Sequence, residues 1–192
     1  MKVRSMVHPH ARTVAVLSAV FALAGCGRDG LLPEETAAVC PEPSGYVAPP
    51  AVPADSLFVL LHEPVLTAEQ QGFLSSIRSQ PTTARIQLAR LAEGVEAILE
   101  ADRPVALNVS STRSFVAVKT DAGRRDAGVF AWHGSISGEY GTATLVLTGK
   151  GMNGVLQSLP ADAPSSVYAI QPIGGGVQAI VCVDVTKVPP RD

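Results

Sequence analysis

The sequence has little with which to hold a metal ion. Of its four histidines, His8 and His10 fall within the first twelve residues, leaving His62 and His133 for the rest of the chain. Two histidines cannot make a three-histidine zinc site within one chain. "HEPVL" at 62–66 begins like a zinc-binding helix, but it lacks the second histidine at i+4, and Pro64 opposes a helix there. Cysteine is as sparse: Cys26, Cys40 and Cys182, with no C-x-x-C pair to support a metal or redox site. No basic cluster is longer than Arg124-Arg125, which argues against nucleic acid or an anionic lipid surface as a partner. The carboxylates are scattered, with no pair that invites acid–base chemistry. "HGSISG" at 133–138 does not match G-x-S-x-G, and nothing in the sequence positions a Ser–His–Asp set around His133. The expectation is therefore a non-enzymatic protein with no catalytic residues, no cofactor and no metal.

One nucleotide-binding signature is present in form. "GKGMNG" at 149–154 satisfies G-x-G-x-x-G and follows a strand pattern. No helix opens after it, because "VLQSLP" is short and ends in proline, and no acidic residue follows at the required offset. The stretch reads as a hairpin turn whose glycines supply positive φ.

The start of the chain carries an address. Residues 1–12 hold Lys2, Arg4 and Arg12 and no acid, and residues 13–25, "TVAVLSAVFALAG", hold no charge. A basic stretch followed by a short apolar one reads as a secretory signal, since 13 residues are too few to span a bilayer. A buried N-terminal helix is the plain alternative. "LAGC" at Leu23–Cys26 resembles the lipobox of bacterial lipoprotein signal peptides. That resemblance implies cleavage before Cys26, acylation of its thiol, and a protein anchored in the bacterial cell envelope through lipid. The mature chain would then have 167 residues, and its 12 basic against 17 acidic residues would give a net charge of −5. Two cysteines remain after acylation. Cys40 and Cys182 would be free to pair in an oxidising compartment, although Cys40 lies in a linker that need not approach Cys182.

Residues 26–55 repeat proline without apolar periodicity, and "APPAVP" favours polyproline II, so they read as a semi-rigid stalk. The domain is expected over residues 56–192. "LFVLL" at 57–61 reads as a buried strand. "LTAEQQGFLSSIRSQP" reads as a helix over 67–79, with Thr67 and Gln70 at capping-box spacing, Phe73, Leu74 and Ile77 on one face, and Pro81 ending it. The stretch 84–98 fits either a long helix or a strand at 84–90 followed by a short helix, and Gly94 favours the second. From Pro104 onward alternating apolar runs and glycine turns predict successive strands, with "DAGRRDA" as a charged turn. Phe130, Trp132 and Ile136 share one strand face, with His133 and Ser135 opposite, so Trp132 is expected in the core. The fold expectation is a β-rich α+β domain: an antiparallel meander sheet with one or two packing helices.

"FAWHGSISGEYGTATLVLTGKGMNGVLQS" and "YAIQPIGGGVQAIVCVDVTKVPP" resemble the N-terminal propeptide of bacterial reprolysin-like zinc metalloproteases, within the metzincin group. "RPVALNVSSTRSFVAV" fits the strand pair that precedes this block, so the resemblance covers about residues 84–190. It implies a binding domain that restrains or chaperones a secreted or envelope zinc metalloprotease in trans, since the catalytic domain that would follow "VPP" is expected to be absent. It implies the hairpin at 166–185 and the tail after it as the contact surface. In parts of the wider group a propeptide cysteine ligands the zinc; Cys182 is the candidate here, but it stands outside any matching motif. A structural envelope lipoprotein with an unrelated partner is the alternative.

Overall fold

Alternation of apolar and polar side chains, interrupted by glycine turns, turns most of residues 55–183 into strand. The computed structural model describes residues 54–126, 128–160 and 164–189. The strands are β1 (Asp55–Ser56), β2 (Phe58–Leu60), β3 (Thr83–Leu91), β4 (Val105–Asn108), β5 (Ser114–Asp126), β6 (Val129–Ile136), β7 (Tyr140–Thr148), β8 (Gly151–Leu159), β9 (Ser166–Gly174) and β10 (Val177–Val183). Two helices accompany them, α1 (Ala68–Arg78) and α2 (Val95–Glu100), with a 3-10 turn at Val185–Lys187.

All ten strands belong to one sheet, in the order β1-β4-β5-β6-β7-β8-β9-β10-β3-β2. The two ends of that order are one short piece of chain. β1 pairs parallel with β4, Asp55 opposite Val105, while β2 pairs antiparallel with β3, Phe58 opposite Leu91. Leu57 stands between them and serves both neighbours. Its N–H donates to the Ala106 carbonyl at 2.9 Å, and its carbonyl accepts from the Ala92 N–H at 3.0 Å. The sheet thus closes on itself into a barrel, with residues 55–60 as a strap over the seam. Closure covers edges that an open sheet would leave unpaired.

This overturns the expected α+β meander backed by helices. The protein is mostly β, and the buried face of the sheet is covered by the sheet itself. Alternation shows that one face of each strand is buried, but not what buries it. The closing contacts join residues near position 57 to residues near 91 and 106, which no local pattern reports.

The barrel interior is filled. Trp132, Leu107, Leu145, Met152, Leu156 and Ile180 are fully buried in one cluster with Leu57 and Phe58 of the strap. Trp132 finds room because Gly134 lies next along the same inward face. A Cβ on Gly134 would overlap the indole and come within 2.9 Å of the Val118 carbonyl oxygen. Across the sheet, Gly134 faces Ala143, another small residue. Small against large is how a narrow barrel fits its contents.

The helices play different parts. α1 lies outside the wall, where Ile77 packs with Ile173, Val177, Ala179 and Val181 of β9 and β10. β10 is therefore buried on both faces, which explains why both of its alternating sets are largely apolar. It also means that the hairpin at 166–185, expected as a contact surface, has part of its outer side covered by the chain's own helix. α2 packs on the interior cluster beside β5. Leu99 is fully buried in the interior cluster, and Val95 and Ile98 pack against it. Arg124 of β5 reaches Glu96 at 2.6 Å and Glu100 at 3.3 Å, and Lys119 reaches Asp102 at 2.5 Å.

Several local expectations hold. Thr67 and Gln70 form the reciprocal capping box, a strand and then a short helix occupy 83–100, and Trp132 is core. Two do not. Phe73 is 52% exposed, because Gln70, Leu74 and Ile77 take the buried face of α1. "DAGRRDA" lies largely within β5, which runs without a break to Asp126 and shifts register twice on the way. Pairing of Asp121–Arg124 with Phe130–His133 of β6 carries the stretch into the sheet.

Candidate functional site

The strap does not cover the whole seam. β2 follows β3 as far as Leu60, and Leu61 N–H still donates to the Leu88 carbonyl at 2.8 Å before the chain turns away to α1. β1 follows β4 for two residues only. Past that point β3 and the chain after β4 diverge. A cleft opens between Arg85 and Gln87 on one side and Val109 and Ser110 on the other, floored by Tyr168, Ile180 and Cys182. Its volume is about 10 Å³, the room that about one water needs. Small-molecule sites are on the order of 300–1,000 Å³, so the cleft does not offer one.

The chemistry around this cleft is cationic and aromatic. Arg113 sits in the turn after β4, its Cζ 4.8 Å from the Phe115 ring centre, and its Nη1 donates to Ser166 Oγ at 3.3 Å. Phe115 meets Tyr168 edge to face, with centroids 5.8 Å apart. Burial pushes the Tyr168 phenol above its ordinary range, while Arg113 and Arg85 pull it back by stabilising a negative charge.

Cys182 is the one sequence-predicted site residue that the described structure contains. It is 2% exposed, belongs to the interior cluster, and is disulfide-bonded. Cys26 and Cys40, and with them the leader and the stalk, lie outside the described residues. The other residues weighed in the sequence are not brought together. His62 is exposed in the segment after β2. His133 lies on β6 with Nδ1 3.1 Å from Thr144 Oγ1, and Ser135 is exposed. Among the described residues no three of His, Cys, Asp and Glu are grouped as metal ligands would be. "GKGMNG" forms the β7–β8 hairpin, with Gly151 at φ 128°. Sequence reading missed Arg85, Arg113 and Tyr168, which lie far apart in the chain and share no motif.

Beyond Cys182 the chain turns sharply at Asp184. Its carboxylate accepts from Thr186 Oγ1 at 2.6 Å and from Thr186 N–H at 3.1 Å, and Lys187 Nζ lies 3.2 Å away. These bonds, the Thr186 hydroxyl first, hold the Asp184 carboxyl below the usual carboxylate range. Lys119 does the same to Asp102. A carboxyl lowered by folding contributes stability that is present above its unfolded pKa, near 4, and is lost as pH falls through the lowered value. Thermal melts between pH 6 and 2 should therefore show a fall below about pH 4 that is shallower in Asp184→Asn. An unchanged slope in that variant would assign the acid sensitivity elsewhere.

No family model matches the chain, and no curated protein matches it. A solved structure described as "Structure of a chaperone-substrate complex" aligns with a TM-score of 0.37 and 13% identity, covering 58% of this chain and 86% of that chain.

Proposed function

We propose that this protein is an exported, lipid-anchored envelope protein whose barrel is a non-catalytic binding domain, restraining or chaperoning a secreted or envelope zinc metalloprotease in trans. The observation that carries the exported part is the disulfide at Cys182, since disulfides persist in oxidising compartments outside the cytosol. It agrees with the basic-then-apolar leader and with "LAGC" at 23–26. The filled interior favours recognition at the outer surface over a small ligand held inside. The metalloprotease as partner class follows from the propeptide resemblance of residues 84–190.

Membrane fractionation tests the anchor. Cys26→Ser should move the protein from the membrane to the soluble fraction, and a variant that stays membrane-bound at wild-type level refutes the anchor. An inhibition assay tests the partner class. The anchored form should restrain a co-localised metzincin more strongly than the soluble Cys26→Ser form, because confinement next to the membrane raises the effective concentration. Equal potency of the two forms removes the role of the anchor. No inhibition by either form leaves an envelope lipoprotein with a different partner.

A further inference from the structure

The outer wall of the barrel changes character along the chain. Residues 54–128 hold 17 Asp, Glu, Lys and Arg, and β5 alone holds Lys119, Asp121, Arg124, Arg125 and Asp126. Residues 129–183 hold three: Glu139 and Lys150 in the turns before and after β7, and Asp162 between β8 and β9. β6, β7, β8 and β9 therefore contain no Asp, Glu, Lys or Arg at all. The side chains that point away from the buried Trp132 and Leu145 stand in register across these strands. His133, Thr144, Val155 and Ala169 form the middle row. Tyr140 and Leu159 face each other at the Glu139 end, 80% and 44% exposed. A strand face turned to water ordinarily carries polar and charged groups. Loss of charge around an exposed tyrosine is instead the composition of an interface core.

The two charges beside β7 select what fits this wall. Glu139 stands at one end of β7 and Lys150 at the other, with Thr144 near the midpoint. Consider a second copy turned by a two-fold axis that crosses β7 near Thr144. Glu139 of each copy then comes to Lys150 of the other, once at either end, with the uncharged rows between them. A two-fold axis along the strands would set Glu139 against Glu139 and Lys150 against Lys150, which is repulsive. A strongly acidic or basic partner would bury its own charges here without partners, at a cost. Thr144 and the other hydroxyl and amide side chains of the wall are equally unsuited to hydrocarbon. Sheets stacked face to face lie about 10 Å apart. Four strands of eight or nine residues make a face of about 20 by 30 Å. Two copies then bury at most about 1,200 Å² together, the low end of specific interfaces and the size of a reversible dimer.

We infer that the outer face of β6 to β9 is a dimer interface, on which a second copy of this chain lies with its β7 antiparallel to the first. The dimer depends neither on acylation of Cys26 nor on a protease partner. A photoreactive benzoylphenylalanine in place of Val155 tests the face in the full-length chain, exported in cells and irradiated. The expected adduct has twice the mass of the chain. The same probe in place of Phe73, exposed on α1, should give none. An adduct of Val155 with a different protein or with lipid assigns the wall to that partner and overturns the inference, and so does no adduct at all. Sedimentation of the purified full-length chain in detergent tests the arrangement. Glu139→Lys and Lys150→Glu should each weaken the dimer by about tenfold, and the two together should return it to within about threefold of wild type. Glu139 also accepts from the Ser158 hydroxyl at 2.6 Å. The double variant lacks that acceptor too, so its recovery cannot come from repair of a folding defect. A double variant as weak as the single ones, or single ones as strong as wild type, overturns the antiparallel dimer.

Discussion

Replacing Trp132 with alanine is expected to cost about 3–5 kcal/mol and to lower the melting temperature by on the order of 10 °C. The indole is fully buried where β6 faces β5 and β7, with Ala122 opposite on one side and Leu145 on the other. Nothing in a closed wall can collapse into the space it leaves, because the strands are fixed by hydrogen bonds on both sides. Trp132→Phe should cost much less. The indole Nε1 is buried with no hydrogen-bond partner among the described residues, so losing its N–H gives up no bond. The opposite error is testable in Gly134→Val. An added side chain there has the Trp132 ring and the Val118 carbonyl in its way, and overpacking of this kind typically costs about 1–3 kcal/mol or more. Thermal or urea unfolding reads all three. A Trp132→Ala protein that melts with wild type would mean that the barrel is not held from within.

Leu57→Ala is expected to be the most damaging change in the strap, at about 2–5 kcal/mol. Leu57 is fully buried, and the bend at this residue turns both Leu57 and Phe58 into the interior cluster. Its backbone also holds both sides of the seam, so losing the side chain loosens the point where closure is made. Val59 gives the control. It is 55% exposed on the outer face of the same strap, and Val59→Ala should stay within roughly 0.5 kcal/mol of wild type. The Leu57 variant should also aggregate on heating, because an open seam bares the edges of β3 and β4. If the two variants melt alike, the strap is a surface ornament and the barrel does not depend on it.

What the sequence made legible was local. The capping box at Thr67 and Gln70 is a three-residue spacing, the glycines at 174–176 announce their own turn, and Phe130, Trp132 and Ile136 declare their common face by alternation. What stayed hidden was anything that needs two distant segments. "LFVLL" is visibly a strand, but its division between β4 and β3 is written in neither neighbour. "DAGRRDA" reads as a turn because four of its seven residues are charged, and it becomes strand because Asp121–Arg124 pair with Phe130–His133 of β6. The site was half visible. Cys182 could be singled out by counting thiols, while Arg85, Val109 and Tyr168 meet around it only once the barrel is closed.

The strand order also implies an order of events in folding. β4 to β10 are joined hairpin by hairpin, each to its neighbour in sequence, and such contacts form early because little chain must be ordered first. The remaining contacts run long. Ala89 meets Gln178 across 89 residues, and Leu57 waits for Ala106 across 49. By that measure the pairing of β3 with β10 is the last to form, later than either contact of the strap. Before then the chain is an open curved sheet with two bare edges, which is the species most prone to pairing with another copy of itself. Refolding should accordingly show a slow final phase in which β3 docks on β10, and raising the protein concentration should divert chains from that phase into aggregates.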